Sequence, residues 1–185
     1  YETGKKKGEK LTIQQAAYEP EALKEDGKKN PLIIWLHGLS EGGDDIDLDL
    51  LGNEVTALTR DEIQQQFTTE GGSNGSYVLA FQSPTYWMQA ADGSAFDGSA
   101  DSIYRDVLTK GIQDYVKKNK DVDPSRVYIG GCSNGGYMTM NLLVHDDENF
   151  FAAAYPVCEA YADSALSDDD IAKFAKKNIW FVQSA

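Results

Sequence analysis

Ser133 lies within Gly131-Cys132-Ser133-Asn134-Gly135-Gly136, directly after the apolar run Val127-Tyr128-Ile129-Gly130. A serine with glycine two positions before and two after fits G-x-S-x-G, the pattern of a nucleophile carried on a sharp strand-to-helix turn. The requirement is steric. Strand and returning helix approach so closely that the flanking positions tolerate little more than hydrogen, while the serine is held in a strained conformation with its hydroxyl projecting. Such a hydroxyl attacks carbonyl carbon when a base takes its proton and a third group orients that base. A second glycine-rich segment, His37-Gly38-Leu39-Ser40-Glu41-Gly42-Gly43, follows the apolar run Pro31-Leu32-Ile33-Ile34-Trp35-Leu36. In acyl transfer a loop at this place supplies one backbone N–H to the developing oxyanion, and the residue after the serine supplies the other. The expected donors are the amides of Leu39 and Asn134.

These groups need a frame. Asp121-Val122-Asp123-Pro124-Ser125 reads as a turn, residues 127–130 as a short buried strand, and residues 137–144 as a helix apolar around most of its circumference. Strand, glycine-flanked serine and buried helix is the order the chemistry needs. Further strands are expected at 10–17, 31–36, 77–81, 151–157 and 179–183. Short helices should fill 44–67, a turn is marked by Gly71-Gly72-Ser73-Asn74-Gly75, Asp101-Ser102 caps a helix running to about Lys118, and Ser167 opens a helix whose first turn carries Asp168, Asp169 and Asp170. Strand–helix alternation predicts an α/β fold, a mostly parallel sheet with helices on both faces, in one domain over residues 1–185. Ligands then sit beyond the carboxyl ends of the strands, where the loop after residue 81 carries Tyr86 and Trp87 as a candidate substrate platform. Packing of Trp87 onto the core is the equal alternative.

The phrases PLIIWLHG, YVLAFQSPTYWM and DVDPSRVYIGGCSNGGYMTMNLLV resemble α/β-hydrolase esterases related to polyhydroxybutyrate depolymerases and to feruloyl and acetylxylan esterases, and also the catalytic domain of the prolyl oligopeptidase family. The resemblance runs from about residue 30 to the end and is strongest around Ser133. It implies the α/β-hydrolase fold, a serine nucleophile, a histidine base, an acidic partner, and neither cofactor nor metal. The substrate it implies is an ester of a small molecule or of plant polysaccharide.

The base is the difficulty. The chain has two histidines. His145 lies twelve positions beyond Ser133, about 18 Å along a helix, too far to take its proton. His37, in a His-Gly loop, is expected to order the oxyanion segment instead. In the resembling family the acid follows the strand that here reads Asn178-Ile179-Trp180-Phe181-Val182-Gln183-Ser184, and the base comes later. The sequence ends at Ala185, so the acid and base are expected beyond it, and this piece alone is expected to be inactive. Glu159, after the strand beside that of Ser133, is the alternative acid.

Formal net charge is −13, which argues against nucleic acid and anionic membranes as partners. The longest apolar runs are too short to cross a bilayer. Tyr1-Glu2-Thr3-Gly4 looks like the start of a processed product, and the compartment stays open with secretion slightly preferred. Cys132 and Cys158 fall at carboxyl ends of neighbouring strands, where a disulfide and two buried thiols are both feasible. Asp45-Ile46-Asp47-Leu48-Asp49 lacks the glycine and glutamate of a calcium loop and reads as a solvated loop. Three functions follow: a serine esterase, a peptidase of prolyl oligopeptidase type, or a hydrolase-fold module without catalysis.

Overall fold

The computed structural model describes residues 11–69, 72–93 and 96–184. The expectations for residues 1–4, Lys10 and Gly71 lie outside them. The strands are β1 Gln14–Tyr18, β2 Asn30–Leu36, β3 Tyr77–Gln82, β4 Val122–Cys132 and β5 Ala153–Val157. The helices are α1 Glu21–Lys24, α2 Ile46–Leu51, α3 Asp61–Gln64, α4 Arg105–Lys118, α5 Asn134–Val144 and α6 Asp168–Phe174. The strands form one sheet in the order β1-β3-β2-β4-β5. β1 pairs antiparallel at one edge and the other pairings are parallel. None of the described helices is long and apolar enough to cross a membrane.

Alternation along the buried strands sorts side chains to two faces. On one, Leu32, Ile34, Leu36, Leu79, Phe81, Val127 and Ile129 join Leu108, Ile112, Tyr137 and Met138 from α4 and α5 in the main core. Fully burying one such side chain contributes roughly 1.5–3 kcal/mol. On the other, Trp35 and Ala80 pack with Val55 of the 3-10 segment Gly52–Thr59, flanked by Leu50, Leu58 and Tyr155. Every residue of α5 is buried, as its apolar circumference led us to expect. Ser167 caps α6 by accepting from the Asp170 amide at 3.2 Å, and Asp170 returns a carboxylate to the Ser167 amide at 3.0 Å.

Two expectations are corrected. Of the segment 121–125 only Asp121 stays in a turn, closed by the Val122 amide on the Asn119 carbonyl, while residues 122–125 are drawn into β4, and an irregular register between Asn30 and Leu32 of β2 absorbs them. Asp123 still makes its local turn, accepting from the Ser125 amide at 2.9 Å. The segment 45–49 is not a solvated loop. Asp45 caps α2 through the Asp47 amide, and Asp49, one turn on, is carried inward and fully buried.

Residues 178–182 continue the sheet beside β5. Trp180 and Val182 donate to the carbonyls of Ala154 and Pro156, and Ala154 and Cys158 donate back to Asn178 and Val182, the staggered ladder of a parallel pair. The carboxyl ends of all the parallel strands therefore lie at one end of the sheet. On the second face, Ile33, Tyr128, Tyr155, Trp180 and Val182 line an apolar groove of about 360 Å³.

Candidate active site

At the carboxyl end of β4 the chain reverses into α5 through Ser133, which has φ 55° and ψ −108° and is exposed. A non-glycine residue at positive φ is uncommon and costs of order 1–3 kcal/mol, so the surrounding packing must enforce it. It does so with backbone. The Ser133 amide donates to the Val157 carbonyl at 2.8 Å, and the Tyr137 amide closes the first helical turn on the Ser133 carbonyl at 2.9 Å. A Cβ on Gly131 would lie 2.6 Å from the Leu36 carbonyl oxygen. On Gly135 it would lie 2.0 Å from that oxygen and 2.7 Å from that of His37. The two glycines of the motif are thus the places where β2 and its loop touch the turn. With the first helical bond made by Tyr137, the amides of Asn134, Gly135 and Gly136 have no acceptor inside α5.

The facing loop is oriented by His37, which is fully buried. Its Nε2 accepts from the Ser83 amide at 3.0 Å, so the proton sits on Nδ1, which donates to the Gly38 carbonyl at 2.6 Å. Burial lowers its pKa to about 4, only partly opposed by the bond to Gly38, and the ring is neutral. In a trans peptide C=O and N–H point in opposite directions. With the Gly38 carbonyl turned in toward the His37 ring, the Leu39 N–H of the same peptide turns outward, at the head of the 3-10 turn Leu39–Glu41. Both ring nitrogens of His37 are committed to the loop. His145 is at the far end of α5, on the Asn141 carbonyl and the Arg105 guanidinium. Neither is a base for Ser133.

Trp87 is a correction. Its ring is fully buried, edge-on to Tyr104 at 5.9 Å and tilted against His37 at 4.7 Å, so it offers no platform. Its backbone amide donates to Asn134 Oδ1 at 2.6 Å, and this tie brings the loop after β3 to the elbow. Half-buried Tyr86 meets Phe96 edge to face at 5.0 Å, and Phe96 is half-exposed. Glu159 lies beside the first turn of α5, where a Cβ on Gly136 would come 2.8 Å from its Cα. Its carboxylate accepts from the Tyr161 amide at 2.7 Å. Burial, then the charge of Asp163, raises its pKa against that bond. Cys132 and Cys158 are free and half-buried, and Cys158 also has positive φ. Among the described residues no three His, Cys, Asp or Glu side chains converge to hold a metal.

Sequence reasoning passed over Glu41, Ser83 and Phe96. Ser83 finds His37 across more than forty residues, and Glu41 and Phe96 find Gly38 and Tyr86 only through the fold of their own loops, so no periodic pattern marks them.

A thermostable esterase of known structure superposes with a TM-score of 0.72 at 24% identity, covering 91% of this chain and 42% of its own. The chain has the α/β-hydrolase fold. Within it, residues 99–178, which span α4, the elbow and α6, match the prolyl oligopeptidase family. A ferulic acid esterase is also similar (TM-score 0.57, 15% identity, 94% of this chain and 78% of that one). So is the acylaminoacyl peptidase of Pyrococcus horikoshii (TM-score 0.50, 17% identity, 92% and 29%). The chain thus spans less than half the length of the esterase and about a third of the peptidase.

Proposed function

We propose that the chain carries the nucleophile and oxyanion half of a serine hydrolase that cleaves carboxylic esters. The observation that carries this reading is the strained, exposed Ser133 between glycines that touch the backbone of Leu36 and His37. Ser133 Oγ attacks the ester carbonyl as a base takes its proton, and the oxyanion settles on the amides of Leu39 and Asn134. Collapse expels the alcohol, protonated by the same base, and water then releases the acyl group from Ser133.

The base, and the acid that orients it, are proposed to come from outside these residues, completing the single domain. Both histidines being engaged elsewhere supports this, as do the exposed Trp180, Phe181 and Val182 on the strand beside β5. Glu159 is the acid if the partner lies within this chain. Acyl groups on plant polysaccharide are the proposed substrate class, for which the likeness to a ferulic acid esterase and the Tyr86–Phe96 ring pair speak. The match to the prolyl oligopeptidase family favours a second reading, a peptidase with the same nucleophile.

Full-length protein assayed on an aryl ester and on a prolyl amide separates them. The esterase reading expects kcat/KM for the ester to exceed that for the amide by at least about 100-fold, a transition-state difference of about 2.7 kcal/mol. The reverse preference makes it a peptidase, and no turnover of either by folded protein leaves the non-catalytic module.

A further inference from the structure

Beneath the Gly38–Gly43 loop lies a carboxylate that the hydrolytic scheme leaves without a role. Glu41 ends the 3-10 turn that starts at Leu39 and folds back, so that its Oε2 accepts from the Gly38 amide at 2.5 Å. Its place is defined from several sides. The Gln82 side-chain amide, at the end of β3, donates to the carbonyls of Glu41 at 2.9 Å and Asp45 at 2.7 Å. A Cβ on Gly52 would fall 1.8 Å from Glu41 Oε1, so the carboxylate lies directly against that glycine. Asp49 is buried nearby in α2, close enough that the charge of Glu41 adds to the burial that raises its pKa. This is a fixed, charged acceptor on one peptide of a glycine loop.

The peptide it holds matters. Gly38 has no Cβ and would sample a wide range of φ and ψ, and those two angles set the direction of the Leu39 N–H. His37 fixes the far side of Gly38 through its carbonyl, and Glu41 fixes the near side through its amide. With both sides held, Gly38 adopts φ −76° and ψ −179°. An ionised acceptor makes a stronger bond than a neutral one, which suits a clamp that must hold while charge develops one residue away.

We propose that Glu41 is the positioning residue of the oxyanion loop: its carboxylate clamps the Gly38 amide and so aims the Leu39 N–H at the reacting carbonyl oxygen. This rests on the hydrolase reading. Glu41 itself touches no reacting atom. Its removal lowers the stabilisation of the transition state and leaves ground-state binding of the ester alone.

The test is steady-state hydrolysis of an aryl ester by the full-length protein and its Glu41→Ala and Glu41→Gln variants, with each variant's thermal midpoint as the check on folding. Loss of one oxyanion donor lowers kcat by about 100- to 1000-fold, so Glu41→Ala is expected to lose at least about 30-fold in kcat with KM within about two-fold. Glu41→Gln keeps a neutral oxygen for the Gly38 amide and is expected to recover all but about five-fold. If the alanine variant does not fold, the glutamine variant decides: a kcat fall at constant KM supports the clamp, and a change in KM alone, or none in either, overturns it. Wild-type kcat in Glu41→Ala, or equal losses in both variants, also overturns it while the hydrolase reading stands. A wild-type protein that turns over no ester removes the hydrolase reading, and the role of Glu41 with it.

Discussion

The elbow and the loop that faces it are both glycine-rich, yet different forces hold them. Around Ser133 the contacts are chiefly backbone on backbone, with the Asn134 side-chain oxygen on the Trp87 amide added: Gly131 and Gly135 lie against the carbonyls of Leu36 and His37, and the Ser133 amide on Val157. Around Gly38 the contacts are polar side chains, with His37, Glu41, Ser83 and Gln82 reaching in from several elements. The elbow is therefore shape-limited and indifferent to protonation, whereas the loop is shaped by hydrogen bonds that a proton or a single truncation can undo. Placement of a strained nucleophile needs rigidity. Aiming an amide needs only a few well-placed acceptors.

The largest effect is expected at Gly135. A methyl there meets backbone that cannot rotate away, so Gly135→Ala is expected to destabilise by about 4 kcal/mol or more, read as a collapse of the urea midpoint. On the loop side, His37→Phe fills the space but strands the Ser83 amide and the Gly38 carbonyl in the interior, an expected loss of about 2–4 kcal/mol by the same measurement. An equal effect at both sites would erase the distinction between them.

Protonation acts on the loop region through His37 and Asp49. His37 is lowered to about 4 from an ordinary value near 6.5, so between those values the unfolded chain binds the proton more readily. The stability this contributes is complete above pH 6.5 and is lost as pH falls toward 4. Asp49 is raised to about 7 from 3.8, chiefly by burial and then by Glu41. Its contribution is complete below 3.8 and is lost as pH rises toward 7. The two trends oppose each other. Asp49→Asn removes the second, so the unfolding free energy of the variant relative to wild type is expected to rise by about 1.4 kcal/mol per pH unit between pH 4.5 and 6.5. Urea titrations at three pH values in that range read it, and a difference independent of pH would contradict the burial of an un-ionised Asp49. The smallest effect belongs to Ser83→Ala. It loses the hydroxyl at 3.0 Å from His37 Nε2 but keeps the backbone donor on the same nitrogen, and about 1 kcal/mol is expected by thermal melt.

Much of this was legible in the chain. The elbow, the His-Gly loop, the strands that lead into them and the buried α5 follow from glycine spacing and apolar runs, because those signals are local. Trp87 and Tyr86 are adjacent on one loop, and no pattern says which turns inward; His37 and Tyr104, distant in sequence, decide it. Asp49 looks solvated among alternating carboxylates until α2 carries it against the sheet. The ties from His37 to Ser83 and from Trp87 to Asn134 each bridge more than forty residues, beyond the reach of any periodicity.

We propose Ser133 as an activated nucleophile. Treating the folded full-length protein with a fluorophosphonate and mapping the adduct by peptide mass spectrometry tests it most directly. The adduct is expected on the peptide containing Ser133, and to vanish in Ser133→Ala. Folded wild-type protein that stays unlabelled, or an adduct on another serine that survives in Ser133→Ala, would contradict it.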